Sequence, residues 1–149
     1  MIKQTKIEAT SPKSIQDHYA SLLGQITWGG GQMLAKKLAH KALLANEAIL
    51  VLTENDQLVG CGAVLQKDIV PEMTLGPFIS AIYVNPEYRG RGLSLKIVTW
   101  AEAVAQAFGY QEIYIVTQHI GLYEQNNFTA IGRATDFKGR VMRVLHKTL

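Results

Sequence analysis

Apolar positions along the chain switch between an alternating and a helical spacing, and the switches mark out its elements. Residues 2–9 alternate weakly and predict a short first strand. Ser11-Pro12 marks a helix start, a capping hydroxyl followed by proline at the first helical position. Ile15, Tyr19, Leu22 and Leu23 then recur at helical spacing. Trp28 and the glycines 29–31 break the pattern, and a second helix is predicted from Gln32 to about Ala45, with Met33, Leu34, Leu38 and Leu43 turned partly inward.

From residue 48 the runs become short, branched and apolar. Residues 48–53 and 58–65 predict two strands, joined by the turn signal Glu54-Asn55-Asp56 into a hairpin. Residues 67–77 carry two prolines and a glycine and predict a loop. A third strand follows over 78–84 and stops at Asn85-Pro86. Residues 93–108 predict a long alanine-rich helix closed by Gly109. A buried-type strand over 113–116, one helical turn over 122–125, and a strand pair over 129–133 and 141–145 complete the chain, the last two joined through Lys138-Gly139. Strand 78–84, helix 93–108 and strand 113–116 form a βαβ unit, so those two strands should be parallel neighbours. The fold class expected is α/β, a mixed and largely antiparallel central sheet with helices on both faces.

Composition narrows the function classes. At 149 residues the chain fits one domain. A domain of that size buries roughly 70% of its unfolded surface and needs no staples. A single cysteine, Cys61, excludes an internal disulfide and a multi-cysteine metal site; lying in an apolar run, it reads as a small buried hydrophobe. The net charge of +3 is scattered, which argues against nucleic acid as a partner but suits a small polyanion. No run approaches the ~18 apolar residues that span a membrane, and residues 1–8 lack the apolar core of a signal peptide. The expectation is a cytoplasmic protein.

The chemistry concentrates in Val84-Asn-Pro-Glu-Tyr-Arg-Gly-Arg-Gly-Leu-Ser-Leu-Lys96. A strand ends, Gly90 and Gly92 let the backbone turn tightly, and a helix begins at once. The first N–H groups of that helix have no intrahelical partner and its dipole is positive there, which makes an anion site. Arg89, Arg91 and Lys96 add formal charge. The ligand expected is a phosphate or pyrophosphate. A Rossmann turn fits worse, because its third glycine and the acidic residue after the next strand are missing. A Walker A loop needs a Gly-Lys-Ser/Thr ending that is absent.

The stretch Arg89-Gly-Arg-Gly92-Leu-Ser94 resembles the acetyl-CoA signature of the GNAT superfamily of N-acetyltransferases, with Ser94 at a position usually held by glycine or alanine. Downstream, Leu122-Tyr123-Glu124-Gln125-Asn126-Asn127-Phe128 resembles the same family's Leu-Tyr-Glu-Lys-x-Gly-Phe segment, with Asn127 in place of glycine; asparagine tolerates a left-handed backbone. The resemblance covers roughly the second half of the chain. It implies direct attack of an amine on a thioester, with acetyl-CoA as the acyl donor. It places the phosphates on Arg89, Gly90, Arg91, Gly92, Leu93 and Ser94, and the pantetheine arm on the backbone of Ile82 and Val84. A backbone N–H near Ile82 or Tyr83 would polarise the thioester carbonyl. Tyr123 becomes the candidate general acid, since phenol and thiol have comparable acidity.

The base stays open between His119, Glu72 or Asp68 acting through water, and a water relay without a single base. Strand 78–84 carries no carboxylate. Trp28, Tyr19 and Phe78 are candidate walls of an acceptor pocket, with a mobile lid at 28–31. The acceptor implied is a small-molecule or peptide amine, and a homodimer is left open. The competing reading is a catalytically silent acyl-CoA-binding sensor or scaffold module.

Overall fold

The computed structural model describes residues 1–68, 70 and 74–149. The chain runs β1 (Lys3–Glu8), α1 (Lys13–Leu23), α2 (Gly29–Ala39), β2 (Ala48–Glu54), β3 (Gln57–Leu65), β4 (Phe78–Val84), α3 (Leu93–Ala107), β5 (Glu112–Thr117), β6 (Thr129–Thr135) and β7 (Val141–Thr148). Single 3-10 turns occupy Pro86–Tyr88 and Tyr123–Asn126.

The strands form one sheet in the order β1-β2-β3-β4-β5-β7-β6. Neighbours are antiparallel except β4 and β5, which run parallel on either side of α3. The expected mixed sheet and its βαβ unit are therefore present. Alternation along the central strands divides the core. Ile49 and Val51 pack with Leu23, Leu34 and Leu38 on the face covered by α1 and α2. Their neighbours Ala48 and Leu50 pack with Val98, Ala101 and Ala105 of α3 on the other face. A strand that alternates two apolar sets needs a helix over each side. The β2–β3 turn is made by Asn55 and Asp56, both with positive φ (51° and 61°). That is the backbone a two-residue type I′ hairpin requires.

Three expectations need correction. The glycines 29–31 do not interrupt the chain: α2 begins at Gly29 and ends at Ala39, well short of residue 45. A Cβ on Gly30 would stand 2.5 Å from the Trp28 indole, and one on Gly31 2.6 Å from Ile26. Glycine is therefore what lets the preceding residues fold back onto the helix start. The other end closes in a Schellman motif, with Lys41 at φ 53°, Ala42 N–H on Lys37 O (2.8 Å) and Lys41 N–H on Leu38 O (3.1 Å).

Ser11 does not cap α1; its Oγ accepts from Glu8 N–H at 2.9 Å, and Pro12 takes the N-cap position. Ile15 is exposed, and Gln16 is buried instead because its side-chain amide donates to Ser11 O at 2.8 Å. Finally, β7 runs three residues beyond the predicted end. Polar side chains there hide the strand in the sequence, yet His146, Lys147 and Thr148 pair with Tyr114, Ile113 and Glu112.

Candidate functional site

β4 starts buried and opens along its length: Phe78, Ile79 and Ser80 are enclosed, whereas Ala81 to Val84 are half-buried. Among the described residues β4 and β5 pair only at Phe78↔Tyr114. Beyond that point the strands part. The β4 backbone that faces β5 is then an edge inside the sheet, with donors and acceptors left for another chain-like partner.

A bulge sets which side chains face the gap. Cys61↔Tyr83 and Ala63↔Ser80 enclose one more residue on β4 than on β3, and Ala81 sits at φ 54°. As a result Ile79 and Ile82, three apart, both face α3, while Ala81 and Tyr83 face α1 and α2. Cys61 is the expected buried hydrophobe: burial pushes its thiol up to about 12, and its Sγ donates to Ala81 O at 3.5 Å.

The strand end is pinned to β3. Asn85 N–H donates to Val59 O (2.7 Å) and its side-chain amide to Leu58 O (2.9 Å), while its side-chain oxygen accepts from Glu87 N–H (3.1 Å). The chain then reaches Gly90 (φ 82°) and Gly92 (φ 69°). No atom lies within 4 Å of a Cβ built at either position. The left-handed backbone, not crowding, calls for glycine here, and the open space is where a ligand can approach the main chain. Gly92 is the N-cap of α3, so unpaired N–H groups of its first turn face that space.

A cleft of about 450 Å³ runs from this turn along β4, lined by Ile82, Val84, Arg89, Gly90, Gly92, Leu93, Ser94, His119, Leu122 and Tyr123. Nearly all the expected site residues are thus brought together, and two are not. Arg91 lies over the Tyr88 ring, 5.0 Å from its centroid, and Tyr88 Oη donates to Glu54 at 3.0 Å. Tyr83 points to the opposite face, where its ring stacks on Trp28 at 6.3 Å and 17°. Arg89 stands at the cleft, but its Nε donates to Val84 O at 3.1 Å, so one backbone acceptor expected to hold a ligand is already engaged.

Tyr123 comes from the 3-10 turn after β5. Asn126 ties that turn to α3 through Leu95 O (3.2 Å) and Thr99 Oγ1 (3.1 Å). Asn127 closes it at φ 67°, the left-handed conformation its glycine-like position demands. Tyr123 is 5% exposed, and burial pushes its phenol up to about 12. The exposed His119 ring lies edge-on to it at 6.1 Å, with His119 N–H donating to Thr117 Oγ1 at 3.0 Å. Leu122 and Asn126 join the site as well, and the only signal for them in the sequence is their position beside Tyr123.

On the far side of β4 the acceptor candidates separate. Tyr19 and Phe78 are core residues, the first bonded to Thr5 Oγ1 at 3.1 Å and the second packed on Tyr114. Trp28 remains exposed beside Tyr83. Its segment is anchored, because the Gln32 side-chain amide donates to Gly24 O (2.9 Å) and to Ile26 O. Glu72 lies outside the described residues. No helix among the described residues is long and apolar enough to cross a membrane, and no three His, Cys, Asp or Glu side chains among them are placed to hold a metal ion.

An anion at the open turn and an extended arm along the free edge of β4 fit these residues. Residues 15–128 match the sequence model of the acetyltransferase (GNAT) family. The aminoglycoside 6'-N-acetyltransferase from Enterococcus faecium superposes with a TM-score of 0.70 at 15% identity, covering 98% of this chain and 96% of that one. A GNAT family acetyltransferase from Elizabethkingia anophelis, with acetyl-CoA bound, gives 0.66 at 15% identity over 99% and 98% of the two chains. The curated citrate (pro-3S)-lyase ligase of Klebsiella pneumoniae is 28% identical over 92 residues, which are 60% of this chain. This chain spans about a quarter (24%) of that relative's length. Strand, open turn, helix and downstream tyrosine all fall inside the matched span, and the chain belongs to the GNAT acetyltransferase family.

Proposed function

We propose that the protein transfers an acetyl group from acetyl-CoA to a primary amine of a small-molecule or peptide acceptor. The observation that carries this is one cleft in which the unpaired edge of β4, the open Gly90–Gly92 turn and the buried Tyr123 meet. Acetyl-CoA would supply the thioester that the amine attacks. The N-terminus of α3 and Arg89 hold phosphate, and the Ile82–Val84 edge aligns the arm through its main chain. A backbone N–H near Ile82 or Tyr83 stabilises charge growing on the carbonyl oxygen.

Tyr123 has a narrower part than its sequence position suggests. Its phenol is held at about 12. Such a group is a much weaker acid than a thiol near ~8.5, and complete transfer to a free thiolate is uphill by about 5 kcal/mol. Tyr123 Oη therefore acts as a hydrogen-bond donor to the departing sulfur. It releases its proton only as the amine's proton replaces it. His119, in the same cleft, is the residue we assign to take that proton from the amine and hand it on to Tyr123. Over one turnover the acceptor nitrogen bonds the acetyl carbon as the thioester C–S bond breaks; the nitrogen loses a proton and the departing sulfur gains one.

The test is free-thiol release from acetyl-CoA with a panel of amines. Amine-dependent release is expected. Binding of acetyl-CoA without release on a broad panel would favour a silent acyl-CoA-binding module, and failure to bind would sink both readings.

A further inference from the structure

β7 reaches the cleft from behind. Arg143 stands opposite Thr117, the last residue of β5, and its guanidinium crosses to the segment that follows. Nη1 donates to His119 O at 2.6 Å and Nη2 to Glu124 Oε2 at 2.7 Å. One planar group thus holds both ends of residues 119–124, the stretch that carries the two side chains facing each other across the cleft. The pair is only partly exposed, with side-chain exposures of 22% for Arg143 and 33% for Glu124. The hydrogen bond from Arg143 is the main reason that the Glu124 carboxyl lies below its ordinary value. Glu124 directly follows Tyr123, so its anchor fixes the backbone from which the phenol projects. Asn126 anchors the same turn from the α3 side.

We infer that Arg143 is a positioning residue, a two-point clamp that holds Tyr123 and His119 in register with the β4 edge. This rests on the role proposed above for Tyr123. A guanidinium suits the task because it is planar and presents several donors in a fixed fork, whereas a lysine ammonium is a compact charge on a flexible stem. The clamp touches neither donor nor acceptor. Its loss should act on the rate rather than on binding, since a small misplacement of a reacting group is enough to slow chemistry.

The variants are Arg143→Met, which removes both bonds, and Arg143→Lys, which keeps the charge and guards against a folding defect. In amine-dependent thiol release, each should lower kcat, Arg143→Met by roughly 10–100-fold, while KM for acetyl-CoA changes less than about threefold. In a Tyr123→Phe background the same substitutions should cost less than in the unaltered protein, because one of the two groups they position is gone. Equal losses in both backgrounds, or an unchanged kcat, would overturn the inference.

A second readout needs no turnover. Tyr123 ionisation is followed by phenolate absorbance, as the difference between each protein and its Tyr123→Phe counterpart. With the clamp intact it starts from about 12. In Arg143→Lys and Arg143→Met it should fall toward the ordinary tyrosine value, roughly 10, as water reaches the loosened turn. If the unaltered protein releases no thiol, the function proposed above fails, and this titration alone decides the clamp: an unchanged Tyr123 titration would overturn it.

Discussion

Ile97 of α3 lies so close to Gly62 of β3 that a Cβ on the glycine would stand 2.7 Å from Ile97 Cγ2. Gly60 repeats the relationship one step along, with a Cβ there 3.2 Å from Ile97 Cδ1 and 2.7 Å from Tyr83 O. Two small residues on β3 therefore let α3 settle onto the sheet, and that depth sets where its N-terminus meets the end of β4. Gly62→Ala should push the helix outward. Overpacking of this kind costs about 1–3 kcal/mol, measurable by urea denaturation, and acetyl-CoA affinity should fall with it. Ile97→Ala leaves a cavity instead. It should cost about 2–5 kcal/mol yet weaken acetyl-CoA binding less than Gly62→Ala does, at temperatures where both variants are folded.

Tyr123→Phe removes the donor to sulfur and keeps the ring that fills the core. It should lower kcat by roughly 10–100-fold, less than an ideally matched acid contributes, and leave acetyl-CoA affinity nearly unchanged. The pH profile adds a sign. With the phenol held at about 12, Tyr123 keeps its proton well above the pH at which an ordinary tyrosine loses it. The rate should therefore show no alkaline fall near pH ~10. A fall centred there would show that Tyr123 titrates as an exposed phenol.

Asp136 closes the β6–β7 connection. Its carboxylate accepts from Lys138 N–H (2.9 Å), Arg140 N–H (2.8 Å) and Arg140 Nε (2.6 Å). Burial raises the carboxyl's value, but the Arg140 and Lys138 donors outweigh it and hold it below the usual aspartate value. A depressed folded value contributes stability that is fully present above the unfolded value, roughly 3.9, and is lost as pH falls through the folded one. The protein should melt at lower temperature in strong acid than at neutrality. Asp136→Asn should be less stable at neutral pH and should narrow that difference in thermal melts.

What could be read in advance was local. The β4–turn–α3 junction is written in consecutive residues: an apolar run, Pro86, two glycines and a helix-forming stretch. Asn127 in a left-handed turn was likewise predictable from its own chemistry. What could not be read depends on partners far along the chain. Glycines 29–31 look like a break until Trp28 and Ile26 are seen folded against them. Arg89 and Arg91 are equivalent as letters, yet one binds Val84 O and the other lies on Tyr88. Tyr83 and Ile82 are neighbours whose faces are assigned by a bulge at Ala81 that no glycine announces. Arg143 acts on residues 19 and 24 positions away through strand pairing alone.

Acetyl-CoA is proposed to occupy the turn between β4 and α3, and calorimetric titration of the protein with acetyl-CoA tests this most directly. Gly92 holds φ 69° at the N-cap of α3 in open space. Glutamate there adds strain, bulk and negative charge where the phosphates should lie. Saturable binding at one site per chain, lost in Gly92→Glu while its thermal melt stays cooperative, is the predicted result. No binding by the unaltered protein, or equal affinity in Gly92→Glu, would contradict it.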